Sequence, residues 1–417
     1  MTQVEREESS VALDRQDERL RQYSGAGGAL KFFGSQIRSG DLGALPVVAG
    51  LLIIAVIFQI LNPLFLSSDN LVNLTLEASS VGVIALGIVC VLLAGEIDLS
   101  VGSVSGLSGA ILAVLAVNRS WPLWAAIAVC LLTGMLVGFL YGQLFNRFGM
   151  PSFVATLAGL LGFLGLQLSV LGSKGSINIP FDSPLVRFAQ LSFLPRQFAY
   201  VVMALISFGY FLTAWEITRA RQKAGLSARS VKALVLRSLA LLVALEVATW
   251  YLNKARGVAW MFLFFALLVV TMNYVFTRTK WGRAVFAVGG NVEAARRTGI
   301  NVRRVYLSVF MLCSTFAAIG GILAAARLGS ANQASGAGDV NLNAIAAAVI
   351  GGTSLFGGRG SAYSALLGIL VISAISSGLT LLNLSSSIRF VITGAVLALA
   401  VAVDSLARKS RQSHGRT

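Results

Sequence analysis

Apolar residues run along this chain in long blocks separated by short polar stretches. The blocks fall near 44–61, 78–94, 99–117, 122–145, 152–172, 197–215, 233–252, 258–277, 304–326, 343–356, 361–383 and 387–405. Most approach the length of about 20 residues that a helix needs to cross a bilayer. The pattern predicts an all-α, polytopic membrane protein with about twelve transmembrane segments over 44–405. Two places break the regularity. The tenth block is short and ends in glycines, which predicts a half-helix or re-entrant segment. The second and third are joined only by Gly95-Glu96-Ile97-Asp98-Leu99-Ser100. Residues 1–43 read as a polar cytoplasmic tail with a short helix around 11–23, and 406–417 as a basic cytoplasmic tail. No apolar core of a secretory signal lies in the first of these.

Composition narrows the class. The 417 residues are 56% apolar and 12% charged, with a mean hydropathy of +0.80. A soluble domain carries about 25% charge. Half of that cannot cover a surface facing water, so a soluble enzyme, a disordered chain and a nucleic-acid-binding domain are excluded. The net charge of +16 is then topological rather than a nucleic-acid footprint. With the N-terminus inside and the segments alternating, 25 Lys and Arg fall on the inner side and 8 on the outer. That bias supports an N-in, C-in arrangement with an even number of crossings. The three cysteines lie in apolar blocks without metal-ligand spacing and the single histidine is in the C-terminal tail, so no metal site and no cofactor are expected. No P-loop is present, so any ATP hydrolysis belongs to another chain.

Carboxylates at membrane depth are costly and line protein or water-filled space. Glu96 and Asp98 sit in such a break, and Ser100 and Ser103 are positioned to cap the helix that follows. These residues either satisfy exposed helix ends or take part in gating a path. Gly351–Ser361 mirrors the arrangement, with Gly352, Thr353 and Ser354 between two apolar runs. Paired broken helices flank the path in many transporters. Asn343 belongs to a polar cluster with Asn332, Gln333, Asp339 and Asn341, read either as a solvated outer loop or as a surface for an external partner or a sugar. Arg359 reads as an inner anchor or a partner contact, and Glu246 as a structural hydrogen-bonding group. Gly134, Gly138 and Gly142, and Gly159, Gly162 and Gly165, have the spacing of close helix packing.

The most basic inner loop, 278–303, contains Gly289-Gly290-Asn291-Val292-Glu293-Ala294-Ala295-Arg296-Arg297-Thr298-Gly299. Asn291 as a cap, Gly299 as a stop, and an acid before two bases predict a short exposed helix over 292–298. The Glu-Ala-Ala-x-x-x-Gly pattern resembles the coupling motif of permease subunits of ATP-binding cassette importers. Gly282-Arg283, Gly299-Ile300-Asn301-Val302, Gly95–Ser103 and Ala344–Ser361 resemble stretches of the monosaccharide (ribose/xylose) branch. The resemblance covers roughly 70–175 and 278–405. It implies that Glu293, Ala294, Ala295, Arg296 and Gly299 couple to a separate ATPase subunit. It also implies a second permease copy, an extracytoplasmic sugar-binding protein and a bacterial plasma-membrane location. The chain offers three crossings between 197 and 277 where ribose-type permeases show one. This extra pair on a ten-helix core is similar to xylose-type permeases and points to xylose. The competing class is an ion-driven secondary sugar transporter, for which Glu96, Asp98 and Glu246 are the available membrane-depth carboxylates.

Overall fold

The computed structural model describes residues 45–395 and 398, except 227, 229, 386, 389 and 390. Both expected tails and most of the expected crossing 387–405 lie outside the described residues. The described residues are mostly helical: α1 Leu45–Leu61, α2 Ser68–Leu93, α3 Val101–Ala113, α4 Leu123–Phe148, α5 Ser152–Leu171, α6 Arg196–Lys223, α7 Val231–Leu252, α8 Trp260–Arg278, α9 Lys280–Gly290, α10 Val292–Arg297, α11 Val302–Leu328, α12 Asp339–Ile350 and α13 Tyr363–Leu381. Among the described residues, eight helices are long and apolar enough to cross a membrane. The helix α3 reaches that length through a π-helical turn, Val114–Asn118. Two strands, β1 Ser176–Asn178 and β2 Ser330–Asn332, pair antiparallel.

Two units are described separately. Leu194–Val258 holds α6 and α7, the extra pair expected from the long middle segment. There the Ser207 hydroxyl donates to the Ser238 carbonyl across the two helices, at 2.8 Å. The half-buried Glu246 sits on α7, and no hydrogen bond or ion pair engages it among the described residues, so the structural bond expected of it is not seen.

The larger unit holds everything else. Its centre is α2, which is buried at every residue from Gly82 to Leu93. A helix apolar on all sides has nowhere else to go. The sequence placed its start near 78, but it begins at Ser68. The Ser67 hydroxyl accepts from the Asn70 N–H at 3.3 Å, and the polar residues Asp69, Asn70, Asn73, Thr75 and Glu77 interrupt the apolar pattern of the first turns. The helix α11 packs on α4, α2 and α3. On α4 the glycines at every fourth position make this possible. A Cβ at Gly134 would strike the Ser314 carbonyl, at Gly138 the Phe310 carbonyl, and at Gly142 Leu307. Where lipid offers no hydrophobic drive, such backbone approach supplies the packing. The α5 glycines divide instead: Gly159 abuts the Tyr141 hydroxyl, whereas Gly162 and Gly165 have nothing within 4 Å. Gly138→Leu is therefore expected to lower the thermal midpoint of the detergent-solubilised protein by several degrees, from an overpacking cost of about 1–3 kcal/mol or more. Gly162→Ala, tested alongside, should leave it unchanged.

The β1–β2 pair joins two loops that alternation assigns to the outer side. Three segments that it assigns to the inner side meet at one junction, described next.

Candidate coupling and translocation site

The first break, residues 94–100, is irregular backbone among apolar helices, so each polar group needs a protein partner. Most have one, although Asp98 Oδ2 and Asn341 Oδ1 are buried without a partner among the described residues. The hydroxyl of Thr156, on α5, accepts from the Leu99 N–H at 3.1 Å, and that of Ser152 from the Ile97 N–H at 3.5 Å. Asp98 is fully buried, and its Oδ1 accepts from both the N–H and the hydroxyl of Ser100, at 2.8 and 2.7 Å. The Asn341 side-chain amide, on α12, donates to the Leu99 carbonyl at 2.6 Å. The Ser103 hydroxyl donates to the Ser100 carbonyl at 2.9 Å.

The capping expected of Ser100 and Ser103 is thus not what they do. Ser100 is the N-cap residue by position, yet its hydroxyl turns to Asp98 and makes no cap bond. Asp98 supplies the turn instead. Glu96, half-buried, lies nearer the surface of the break. Asp98→Ala should leave a buried N–H and hydroxyl without an acceptor, at a cost of about 1–3 kcal/mol. Asp98→Asn keeps an acceptor oxygen. Thermal unfolding in detergent is expected to separate them, with the Asn variant close to the parent and the Ala variant several degrees below.

The second break follows α12. At 12 residues, α12 spans about 18 Å, well short of a hydrocarbon core of about 30 Å. The tenth expected segment is therefore a half-helix, as its shortness predicted. Gly352 and Ser354 shape the turn: the Ser354 N–H donates to the Arg359 carbonyl at 3.0 Å and its hydroxyl accepts from the Phe356 N–H at 3.2 Å. Thr353 is buried, and its hydroxyl has no partner among the described residues. Asn343 donates to the Asp339 carboxylate at 3.3 Å on the exposed side of α12. Arg359 is exposed at the tip of the turn.

The candidate coupling segment is built on an element the sequence reading passed over. Residues 280–290 form α9, with Gly282, Val285 and Val288 buried on one face. Its start is fixed by the Thr279 hydroxyl, which accepts from the Gly282 N–H at 3.0 Å. The Trp281 indole N–H donates to the Ser308 hydroxyl on α11 at 2.7 Å. After Asn291 the short α10 follows. The Asn291 Oδ1 accepts from the Ala294 N–H at 2.9 Å, and Gly299, at φ +81°, ends the turn. Glu293 pairs with Arg296 at 3.2 Å and Arg297 at 3.3 Å. Glu293, Ala294, Arg296 and Gly299 are exposed, but Ala295 is buried. Ala295 packs inward and anchors α10.

These pieces meet in a junction of glycines. The Gly358 N–H donates to the Leu93 carbonyl at 3.0 Å, satisfying an orphan acceptor at the C-terminal end of α2. A Cβ at Gly289 would collide with that same carbonyl and with the Gly358 N–H. At Gly357 it would meet the Gly289 carbonyl and Gly95, and at Gly358 the backbone of Gly290. The end of α9, the first break and the second break are thus in backbone contact, and α10 lies one residue beyond α9. Sequence reasoning named the three segments but not their meeting.

Elsewhere in the same unit, the Gln167 side chain, fully buried on α5, donates to the Asn332 and Ser335 carbonyls at 2.9 Å each. Gly336 lies against Gly102 and Gly106 of α3. The loop before α12 is therefore seated on α3 and is not an open solvated loop. A lone glutamine in an apolar helix was the signal for Gln167. No groups of three or more metal-ligating side chains come together among the described residues.

Eight membrane-length helices among the described residues, with two broken segments that meet a basic arm, define a polytopic helical membrane protein. The comparisons make the class specific. Residues 70–401 match a family described as "Branched-chain amino acid transport system / permease component", and the chain belongs to that family. It is 35% identical over 376 residues to the xylose transport system permease protein XylH of Escherichia coli (strain K12), covering 90% of this chain and 95% of that one. It is 30% identical to the xylose transport system permease of Haemophilus influenzae over 90% of this chain and 99% of that one. The ribose import permease RbsC of Haemophilus influenzae is 30% identical over 85% of this chain and 90% of its own length. No solved structure matches the chain. The protein is a membrane-embedded transport subunit of the ATP-binding cassette class, not an enzyme, and its class works with an ATPase and a substrate-binding protein.

Proposed function

We propose that this chain forms the translocation path of a bacterial plasma-membrane importer for a monosaccharide, xylose first, delivered by an extracytoplasmic binding protein. The family description mentions amino acids, so family membership alone does not fix the substrate. The sugar assignment rests on the named relatives and on the extra helix pair, and xylose on the greater identity to the Escherichia coli xylose permease and the greater coverage with both xylose permeases. Two copies would face an ATPase dimer, each offering α10 as the docking element through Glu293, Ala294, Arg296 and Gly299, with Ala295 holding the helix in place.

The observation that carries the mechanism is the glycine junction. ATP binding closes the ATPase dimer and moves α10. Because Gly289 is in backbone contact with Leu93 and Gly358, the movement reaches both breaks without passing through flexible side chains. The breaks then reshape the path around α3 and α12, and hydrolysis resets it. ATP drives this only through its different affinity for the two states. Within the path, Asp98, Ser100 and Ser103 hold the first break, and Gly352, Thr353, Ser354 and Asn343 belong to the second. The chain itself is expected to bind sugar weakly, since tight binding slows release.

Uptake of radiolabelled xylose into proteoliposomes holding the permease and its ATPase tests the reading. Adding xylose-loaded binding protein and ATP is expected to start uptake, and ribose should compete poorly. Uptake of ribose in preference to xylose would reassign the sugar. Uptake without ATP would remove the importer mechanism.

A further inference from the structure

We propose that the cavity behind α10 binds the phosphate headgroup of an anionic phospholipid from the basic-side leaflet. A cavity of about 720 Å³ opens where α4 ends, α10 lies and α11 begins. Arg296, Arg303, Asn146 and Asn301 line its polar side, and Phe145 and Tyr306, with ring centroids 4.6 Å apart, its apolar side. The Asn146 side-chain amide donates to the Arg303 carbonyl at 2.9 Å, joining the two spans beneath it. Glu293 already holds Arg296. No ion pair engages the exposed Arg303 among the described residues, so its guanidinium is free to meet an anion. The first turn of α11 adds the positive end of a long helix.

Position selects a lipid among anions. The cavity lies at the ends of two membrane-length helices, α4 and α11, which is headgroup depth. Above it α4 presents an exposed apolar stripe, Leu132, Leu136 and Leu140, four residues apart on one helix face. A lipid with its acyl chains along the apolar surface of α4 would have its phosphate at the level of Arg303. Basic pockets between spans on the cytoplasmic side are suited to such headgroups. The bound lipid would brace α10 against α11 and so set the height of the docking helix. This last consequence rests on the coupling reading; the binding itself does not.

Native mass spectrometry of the purified permease alone, with phosphatidylglycerol or phosphatidylcholine added, tests the binding separately from any ATPase. One phosphatidylglycerol is expected to be retained in preference to phosphatidylcholine. Arg303→Gln should reduce its retention about fivefold, the effect of one cationic contact near the surface. Arg303→Lys should keep most of it, and Arg119→Gln, a loop substitution away from the cavity, should not change it. Equal retention of the two lipids overturns the proposal. So does displacement by equimolar inorganic phosphate, which would make the cavity a site for free anions. Lost ATPase recovery in Arg303→Gln without any lipid preference would assign the cavity to an acidic protein side chain instead.

Discussion

Glu293→Arg is expected to abolish ATP-driven uptake, by more than a hundredfold, while the permease remains folded. Glu293 is exposed on α10 and holds Arg296 and Arg297. Exposed pairs of this kind contribute about 0–1 kcal/mol to stability, so the fold does not depend on them. The docking surface does. Reversal puts three guanidinium groups on a helix of six residues, with a positive charge in the first turn where the macrodipole favours an acid. Size-exclusion profile and thermal midpoint of the variant should match the parent within a few degrees. The amount of ATPase recovered with it should fall to background. A variant that still recovers the ATPase and transports at the parental rate would remove α10 from the coupling role.

Gly289→Val is expected to separate ATP hydrolysis from transport. The residue is the last but one of α9, at the point where any Cβ meets the Leu93 carbonyl and the Gly358 N–H. A branched side chain there must push the arm away from both breaks and sever the 3.0 Å bond from Gly358 to Leu93. Overpacking of this sort costs about 1–3 kcal/mol, enough to lower the thermal midpoint without preventing folding. Because α10 itself is unaltered, ATPase association should persist. Hydrolysis should continue at its basal rate but lose stimulation by loaded binding protein, and uptake should fall at least tenfold. Gly290→Val is the matched comparison: a Cβ at Gly290 meets nothing within 4 Å, so that variant should stay coupled. If both variants behave alike, the junction transmits nothing.

Much of this was legible in the sequence because the signals are local. The helices follow from apolar blocks, the breaks from the Gly-Glu-Ile-Asp and Gly-Gly-Thr-Ser interruptions, and α10 from a cap, a stop and a charge order within nine residues, Asn291 to Gly299. The α4 glycines were readable as packing, since a period of four fixes one face. The rest depends on long-range placement. Ser100 had the composition of a capping residue, but a buried Asp98 two positions earlier claimed its hydroxyl. Asn341 was readable as polar and outer, yet its contact is with Leu99, 242 positions away in sequence. The helix α9 was hidden by Gly282, Gly289 and Gly290, which weaken any helix propensity. Their purpose shows only when Leu93 and Gly358 are seen against them. No pattern along one segment announces a meeting of three.

The most direct test of the account is co-purification from native membranes. The tagged chain is extracted in mild detergent, its companions are identified and ATP hydrolysis is assayed. The account predicts a stoichiometric ATPase subunit, hydrolysis stimulated by xylose-loaded binding protein, and loss of that subunit on Glu293→Arg. A chain that purifies alone, and in liposomes carries sugar under an ion gradient, would contradict it and turn attention to Glu96, Asp98 and Glu246 as ion-coupling carboxylates.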